Sequence, residues 1–160
     1  MPSGIEIHAF RRTPIKGRER LTASLLAETL TAFDSRYKDF HLSELDMRGY
    51  LTGSIDLAFA ADGKYWVIDW KTNKIDYRNN TPEEAVNALM KNNHYELQLA
   101  LYLVALKRML EVRLNLPEGT GYKAIGGAVY CFLRGIDRNA RGTYFERPKD
   151  ALIECLDDFL

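Results

Sequence analysis

A chain of 160 residues with 22 basic and 22 acidic side chains, 46% of it hydrophobic, lies too near the globular average for a disordered or low-complexity segment. No apolar run approaches the ~20 residues of a membrane span, no charged-then-apolar leader opens the chain, and two cysteines, Cys131 and Cys155, cannot build a disulfide framework or a multi-cysteine zinc site. The formal net charge of zero argues against a nucleic-acid binder held by bulk charge, and the length suits one domain, 1–160, with a real core.

In chain order, Ile5 and Ile7 alternate with polar neighbours and predict a short first strand. Arg11 to Arg20, basic and broken by Pro14 and Gly17, reads as a loop that either clamps phosphates or is simply solvated. Leu25, Leu26, Leu30 and Phe33 recur at helical spacing, with Thr22 as N-cap and Asp34-Ser35 as the stop. Two strand-like runs follow, Met47–Ala60 and Lys64–Lys71, joined by Asp62-Gly63, two residues that tolerate the positive φ of a tight hairpin turn. The second run is apolar on both faces at its start, as expected of a central strand covered on both sides. Thr81-Pro82-Glu83-Glu84 opens a helix with a cap, a proline at N1 and acids favoured by the dipole, and Asn92-Asn93 interrupts it. From about His94 to Leu114 a helix is apolar on nearly every side and hence buried. Lys123–Arg134 reads as a further strand and residues 148–160 as a final amphipathic helix. The order β-α-β-β-α-α-β-α gives an α/β or α+β domain around a mixed sheet.

The chemistry gathers on the hairpin. Asp69 and Lys71 are two apart on a strand and project from one face, while Trp70 points to the other. An acid and a lysine on an otherwise apolar strand are unfavourable to desolvate unless they pair with each other or serve a site. Pairing the hairpin about Asp62-Gly63 sets residues whose numbers sum to about 125 opposite each other, so Asp56 faces Asp69. Two carboxylates across a ladder repel unless a cation joins them, and a hard divalent ion held by carboxylates, a backbone carbonyl and water relieves that conflict. Lys71 on the same face could then position water or stabilise developing negative charge, which completes the parts for phosphodiester hydrolysis. Protonated or merely exposed carboxylates are the bland alternative.

On the buried helix, Tyr95, Gln98 and Tyr102 share a face by i, i+3, i+7 spacing. Gln98 is the one amide among apolar neighbours and needs a buried partner, either for the active-site strand or in a plain tyrosine–glutamine hydrogen bond. His8, His41 and His94 lack metal-ligand spacing, and Cys131, mid-strand, reads as a core residue. Arg134, Arg138 and Arg141 are a second basic cluster, solvated or phosphate-binding.

Gly53-Ser54-Ile55-Asp56-Leu57, Asp69-Trp70-Lys71 and Gln98–Tyr102 together resemble the PD-(D/E)xK nuclease superfamily, and within it the C-terminal nuclease domain of RecB, the beta subunit of exodeoxyribonuclease V. The flanking Arg48–Gly53, Thr72-Asn73, His94–Leu97 and Phe132–Asp137 are similar too, so the resemblance spans roughly residues 20–140. It implies a restriction-endonuclease-like fold with a mixed sheet flanked by helices. It implies Asp56 and Asp69 as Mg²⁺ ligands with the Trp70 carbonyl, Mn²⁺ being a possible substitute. Lys71 would be the catalytic lysine, and Gln98 and Tyr102, with Tyr95 beside them, would support the site and DNA.

The same resemblance implies a cytoplasmic double-strand-break repair and recombination enzyme, with DNA and RecC-like and RecD-like subunits as partners and no membrane. RecB-type domains also carry an upstream histidine ligand on a helix. That helix is expected to precede this sequence, as does a helicase motor, so the chain reads as a fragment of a longer polypeptide; His8, in a strand-like context, is not given the ligand role. No nucleotide-binding loop is present. The rivals are a non-catalytic nuclease-like module that contacts DNA or a partner, and a stand-alone nuclease of another branch; the lack of iron–sulfur cysteines counts against a Cas4-like one.

Overall fold

Asp62 and Gly63 both take positive φ, 51° and 70°, and turn the chain tightly between two antiparallel strands. In the computed structural model, which describes residues 5–9, 23–33, 35–37, 51–139 and 141–159, those strands are β3 (Leu57–Ala61) and β4 (Lys64–Lys71). Before them come β1 (Ile5–Ala9), α1 (Ala23–Phe33), a single 3₁₀ turn (Ser35–Tyr37) and β2 (Leu51–Ile55); after them come α2 (Pro82–Asn92), α3 (Tyr95–Arg113), a 3₁₀ turn (Gly121–Ala124), β5 (Ile125–Phe132), β6 (Thr143–Glu146) and α4 (Asp150–Phe159). The basic loop Arg11–Arg20, the cap at Thr22, Asp34, His41 and the start of the strand run at Met47 lie outside the described residues.

The fold is mixed α+β. One sheet runs β3-β4-β5-β6, with β4 parallel to β5 and the outer pairs antiparallel; β1 and β2 form a separate antiparallel pair. The α2–α3 connection is the crossover that parallel β4 and β5 require. Its boundaries follow the local chemistry. Thr81 caps α2 with its hydroxyl on the Glu84 amide, and the Glu84 carboxylate returns to the Thr81 N–H, a reciprocal capping box. Asn93 ends α2 and His94 takes φ 54°, which breaks the path between the two helices. The apolar α3 is buried at Leu99, Ala100, Leu103, Val104, Leu106 and Leu110, and packs on β5, α2 and α4.

Three expectations need correction. The run Met47–Ala60 is not one strand: it bends at Asp56, so β2 pairs with β1 while β3 pairs with β4. The Asp56 carboxylate accepts the Trp70 N–H, which ends the run at that residue. The strand expected from Lys123 begins at Ile125, because residues 121–124 form a 3₁₀ turn. A fourth strand of the sheet, β6, was not expected at all; only four residues long, it lies between Gly142 and Pro148. The sheet's two faces also differ. Val67 and Asp69 point into the core under α3, whereas Trp70 on the opposite face is 43% exposed. Trp66 on that face packs over Gly126, where an added Cβ would meet its ring at 2.3 Å; the register of β4 and β5 shifts at this glycine.

Candidate active site

β4 delivers Asp69 and Lys71 to the core-side face near its carboxyl end, the end of a parallel sheet where ligand crevices form. Asp69 is 3% exposed, and Lys71 Nζ stands 2.7 Å from its Oδ2. The contact is an ion pair without the angles of a hydrogen bond, which leaves the buried Asp69 Oδ2 without a well-aligned donor. Burial raises the Asp69 pKa above its ordinary value, the Lys71 ammonium works against that rise, and the Asp56 charge adds to it.

The hairpin ladder ends at Leu57 opposite Ile68, and the next step of the same register sets Asp56 against Asp69. The Asp56 charge does act on Asp69, but Asp56 itself lies just outside the ladder. Asp56 sits in the bend between β2 and β3, exposed, and its Oδ2 accepts the Trp70 amide at 2.9 Å. The two carboxylates thus occupy one strand end, one buried and one solvated.

α3 supplies the wall. Its first turns carry Tyr95, Gln98 and Tyr102 along one face, as the spacing predicts. Gln98 Oε1 accepts from Lys71 Nζ at 2.8 Å, and Gln98 Nε2 donates to the Tyr102 hydroxyl at 2.9 Å. That hydroxyl donates in turn to the Ser54 carbonyl of β2 at 2.8 Å. A relay of side chains therefore runs from the ammonium to the strand that precedes Asp56, and the half-buried amide has a partner at each end. Burial, followed by the charges of Asp69 and Asp56, pushes the Tyr102 phenol above its usual range, so it stays a neutral donor. Tyr95 lies with its ring 4.1 Å from Lys71 Nζ and its hydroxyl on Asn73 Oδ1 at 3.0 Å.

Sequence reasoning missed Tyr130. This β5 residue lies beside Asp69 in the parallel register, fully buried, and its hydroxyl donates to Gln98 Oε1 at 3.2 Å. As an aromatic in a strand it reads as core, and only the crossover topology puts it next to Asp69. Asn73, just past the Asp-Trp-Lys triplet, carries no signal of its own in the sequence beyond the family resemblance. Arg134, Arg138 and Arg141 follow β5 as expected, with the Leu133 N–H on the Lys71 carbonyl at 2.9 Å tying that loop to the site. Arg141 is committed to Asp137 at 2.5 Å, whereas Arg134 and Arg138 are exposed. His94 stands at the α2–α3 junction as the N-cap residue of α3, and Cys131 is buried.

The PD-(D/E)XK nuclease superfamily model matches residues 4–156. The chain belongs to that superfamily. The curated relatives it matches include the RecBCD enzyme subunit RecB of Escherichia coli strain K12, 34% identical over 144 residues, which is 88% of this chain and 12% of that protein. The same subunit of Haemophilus influenzae is 35% identical over 117 residues, covering 69% of this chain and 9% of the relative. That of Mycobacterium tuberculosis strain H37Rv is 32% identical over 143 residues, 83% and 13% respectively. The chain thus spans about a tenth of the length of these relatives. PD-(D/E)XK nucleases generally use divalent metal ions. Among the described residues no three His, Cys, Asp or Glu side chains gather into a metal-binding group, and no helix is long and apolar enough to cross a membrane.

Proposed function

We propose that this chain is the Mg²⁺-dependent nuclease module of a RecB-like helicase–nuclease, hydrolysing DNA phosphodiester bonds in double-strand-break repair and recombination. The observation that carries the reading is the end of β4: a buried carboxylate, a second carboxylate held at the Trp70 amide just beyond the ladder, and a lysine 2.7 Å from the first.

The donor set fits a hard divalent ion. Asp69 offers a buried carboxylate oxygen without a well-aligned hydrogen bond, Asp56 a solvated one, and Trp70, the residue after Asp69, a backbone carbonyl. Two carboxylates, a carbonyl and water are the surroundings Mg²⁺ takes, with Mn²⁺ as a substitute. When bound, the ion supplies positive charge to the phosphoryl oxygens and acidity to water. The chain's own residues do the rest. Asp56 and Asp69 hold the ion, and Lys71 lends its ammonium to the negative charge that builds on the phosphate. Gln98 aims Lys71, and Tyr102 pins Gln98 to β2 through Ser54. RecC-like and RecD-like subunits are its partners, since its relatives are RecB subunits of RecBCD enzymes; DNA as the substrate and the cytoplasm as the place of work belong to the same proposal.

A second reading, a nuclease-like module that contacts DNA or a partner without cutting, draws on the missing third side-chain ligand among the described residues. Calorimetric titration separates the two. The nuclease reading expects saturable Mg²⁺ and Mn²⁺ binding that Asp56→Ala and Asp69→Ala each abolish; heats no different from buffer for the unsubstituted chain would favour the non-cutting module.

A further inference from the structure

We infer that Tyr130 is a positioning residue for Lys71, acting through Gln98 and through its own ring. The inference rests on Lys71 being the lysine that acts on the phosphodiester. Tyr130 has no access to a reacting phosphate, since it is fully buried on β5. Its contacts instead converge on the ammonium. The Tyr130 hydroxyl and Lys71 Nζ donate to the same oxygen, Gln98 Oε1, at 3.2 and 2.8 Å. A carbonyl oxygen has two lone pairs, so both are taken and the amide is held with its oxygen toward the lysine and its NH₂ toward Tyr102. The Tyr130 ring centroid lies 5.2 Å from Nζ and stacks on Tyr95, whose ring lies 4.1 Å from Nζ, at a centroid distance of 5.7 Å. The ammonium is therefore boxed by Asp69, by the Gln98 oxygen and by two aromatic faces, and a long flexible side chain is left with one place to stand.

A purely structural tyrosine would serve as well without its hydroxyl, whereas a positioning one would not, and this difference is the test. Tyr130→Phe keeps the ring and removes the donor. It is expected to lower kcat for DNA cleavage about fivefold, the rate equivalent of one neutral hydrogen bond, with KM unchanged and the protein still fully folded at the assay temperature. Lys71 is also read directly, from its Cε–Hε cross-peak in protein carrying ¹³C-lysine, assigned by its loss in Lys71→Arg. Ring currents are expected to hold the Hε resonance upfield of free lysine, to shift it in Tyr130→Phe and to release it further in Tyr130→Leu. An unchanged kcat together with an unmoved Lys71 resonance in Tyr130→Phe would overturn the inference. If the unsubstituted chain cuts no DNA, the resonance alone decides whether Tyr130 places Lys71.

Discussion

Lys71 has four neighbours competing for one charge: Asp69 at 2.7 Å, Gln98 Oε1 at 2.8 Å and the faces of Tyr95 and Tyr130. Its Coulomb partner is a carboxylate that burial disfavours as an anion, so each group lowers the desolvation penalty of the other. If the lysine acts on charge that appears only in the transition state, Lys71→Ala should lower kcat by about 10²–10³-fold while Mg²⁺ affinity and KM change little. Single-turnover cleavage with calorimetry on the same variant checks this; a raised KM with kcat intact would make Lys71 a ground-state DNA contact. At this scale the sequence was informative. The Asp-Trp-Lys triplet and the Asp62-Gly63 turn sufficed to place Asp56 beside Asp69, because a two-residue turn fixes register. Tyr130 was not legible, because its neighbour Asp69 lies across a parallel pairing some sixty positions away, set by a crossover that no local pattern encodes.

Among the elements, α3 and α4 are joined by a cluster that takes no part in the site. Lys107, 1% exposed, pairs with Asp157 at 2.6 Å and with Glu111 at 3.1 Å; Arg108 Nε reaches the other Asp157 oxygen at 2.5 Å. Burial works to raise the Asp157 pKa, but the bonds from Lys107 and Arg108 outweigh it and hold the carboxyl below its ordinary 3.8. A carboxyl depressed by folding contributes stability that is fully present above the unfolded value and is lost as pH falls through the folded one. Asp157→Asn should therefore be less stable than the unsubstituted chain by about 3 kcal/mol at neutral pH, with the gap closing only below about pH 4. Urea unfolding across pH measures it; a gap unchanged in strong acid would show that the charge is not its source. The bend at Asp56 was harder to foresee than the helices. Hydrophobic pattern carries through Met47–Ala60 without a break, and the division into β2 and β3 comes from a side chain accepting the Trp70 N–H. The short β6 left no periodic signal, since four residues give barely two turns of alternation.

For the whole molecule, a neutral sum of charges does not conflict with the proposed DNA substrate. Two acids, Asp56 and Asp69, are drawn into the candidate metal site, and exposed cations follow β5 in a loop whose first residue, Leu133, bonds through its N–H to the Lys71 carbonyl. Of the three arginines there, Arg141 is neutralised by Asp137, which leaves Arg134 and Arg138. Replacing both by alanine should weaken DNA binding evenly across sequences and flatten the slope of log K against log salt by about 1.4 on single strands. Fluorescence anisotropy with labelled oligonucleotides over a salt series reads that slope, and an unchanged slope would show that the loop does not touch phosphate. The fold class and the order of the main elements were accessible from periodicity and caps, while the sheet order was not, because strand neighbours are set by tertiary packing.

The most direct measurement is the rate of Mg²⁺-dependent cleavage of a defined DNA substrate by the unsubstituted chain and by Asp69→Ala, each with its unfolding midpoint. The unsubstituted chain should cut with Mg²⁺ and stop on chelation, and Asp69→Ala should remain folded without cutting. Full activity in folded Asp69→Ala would contradict the site at the end of β4.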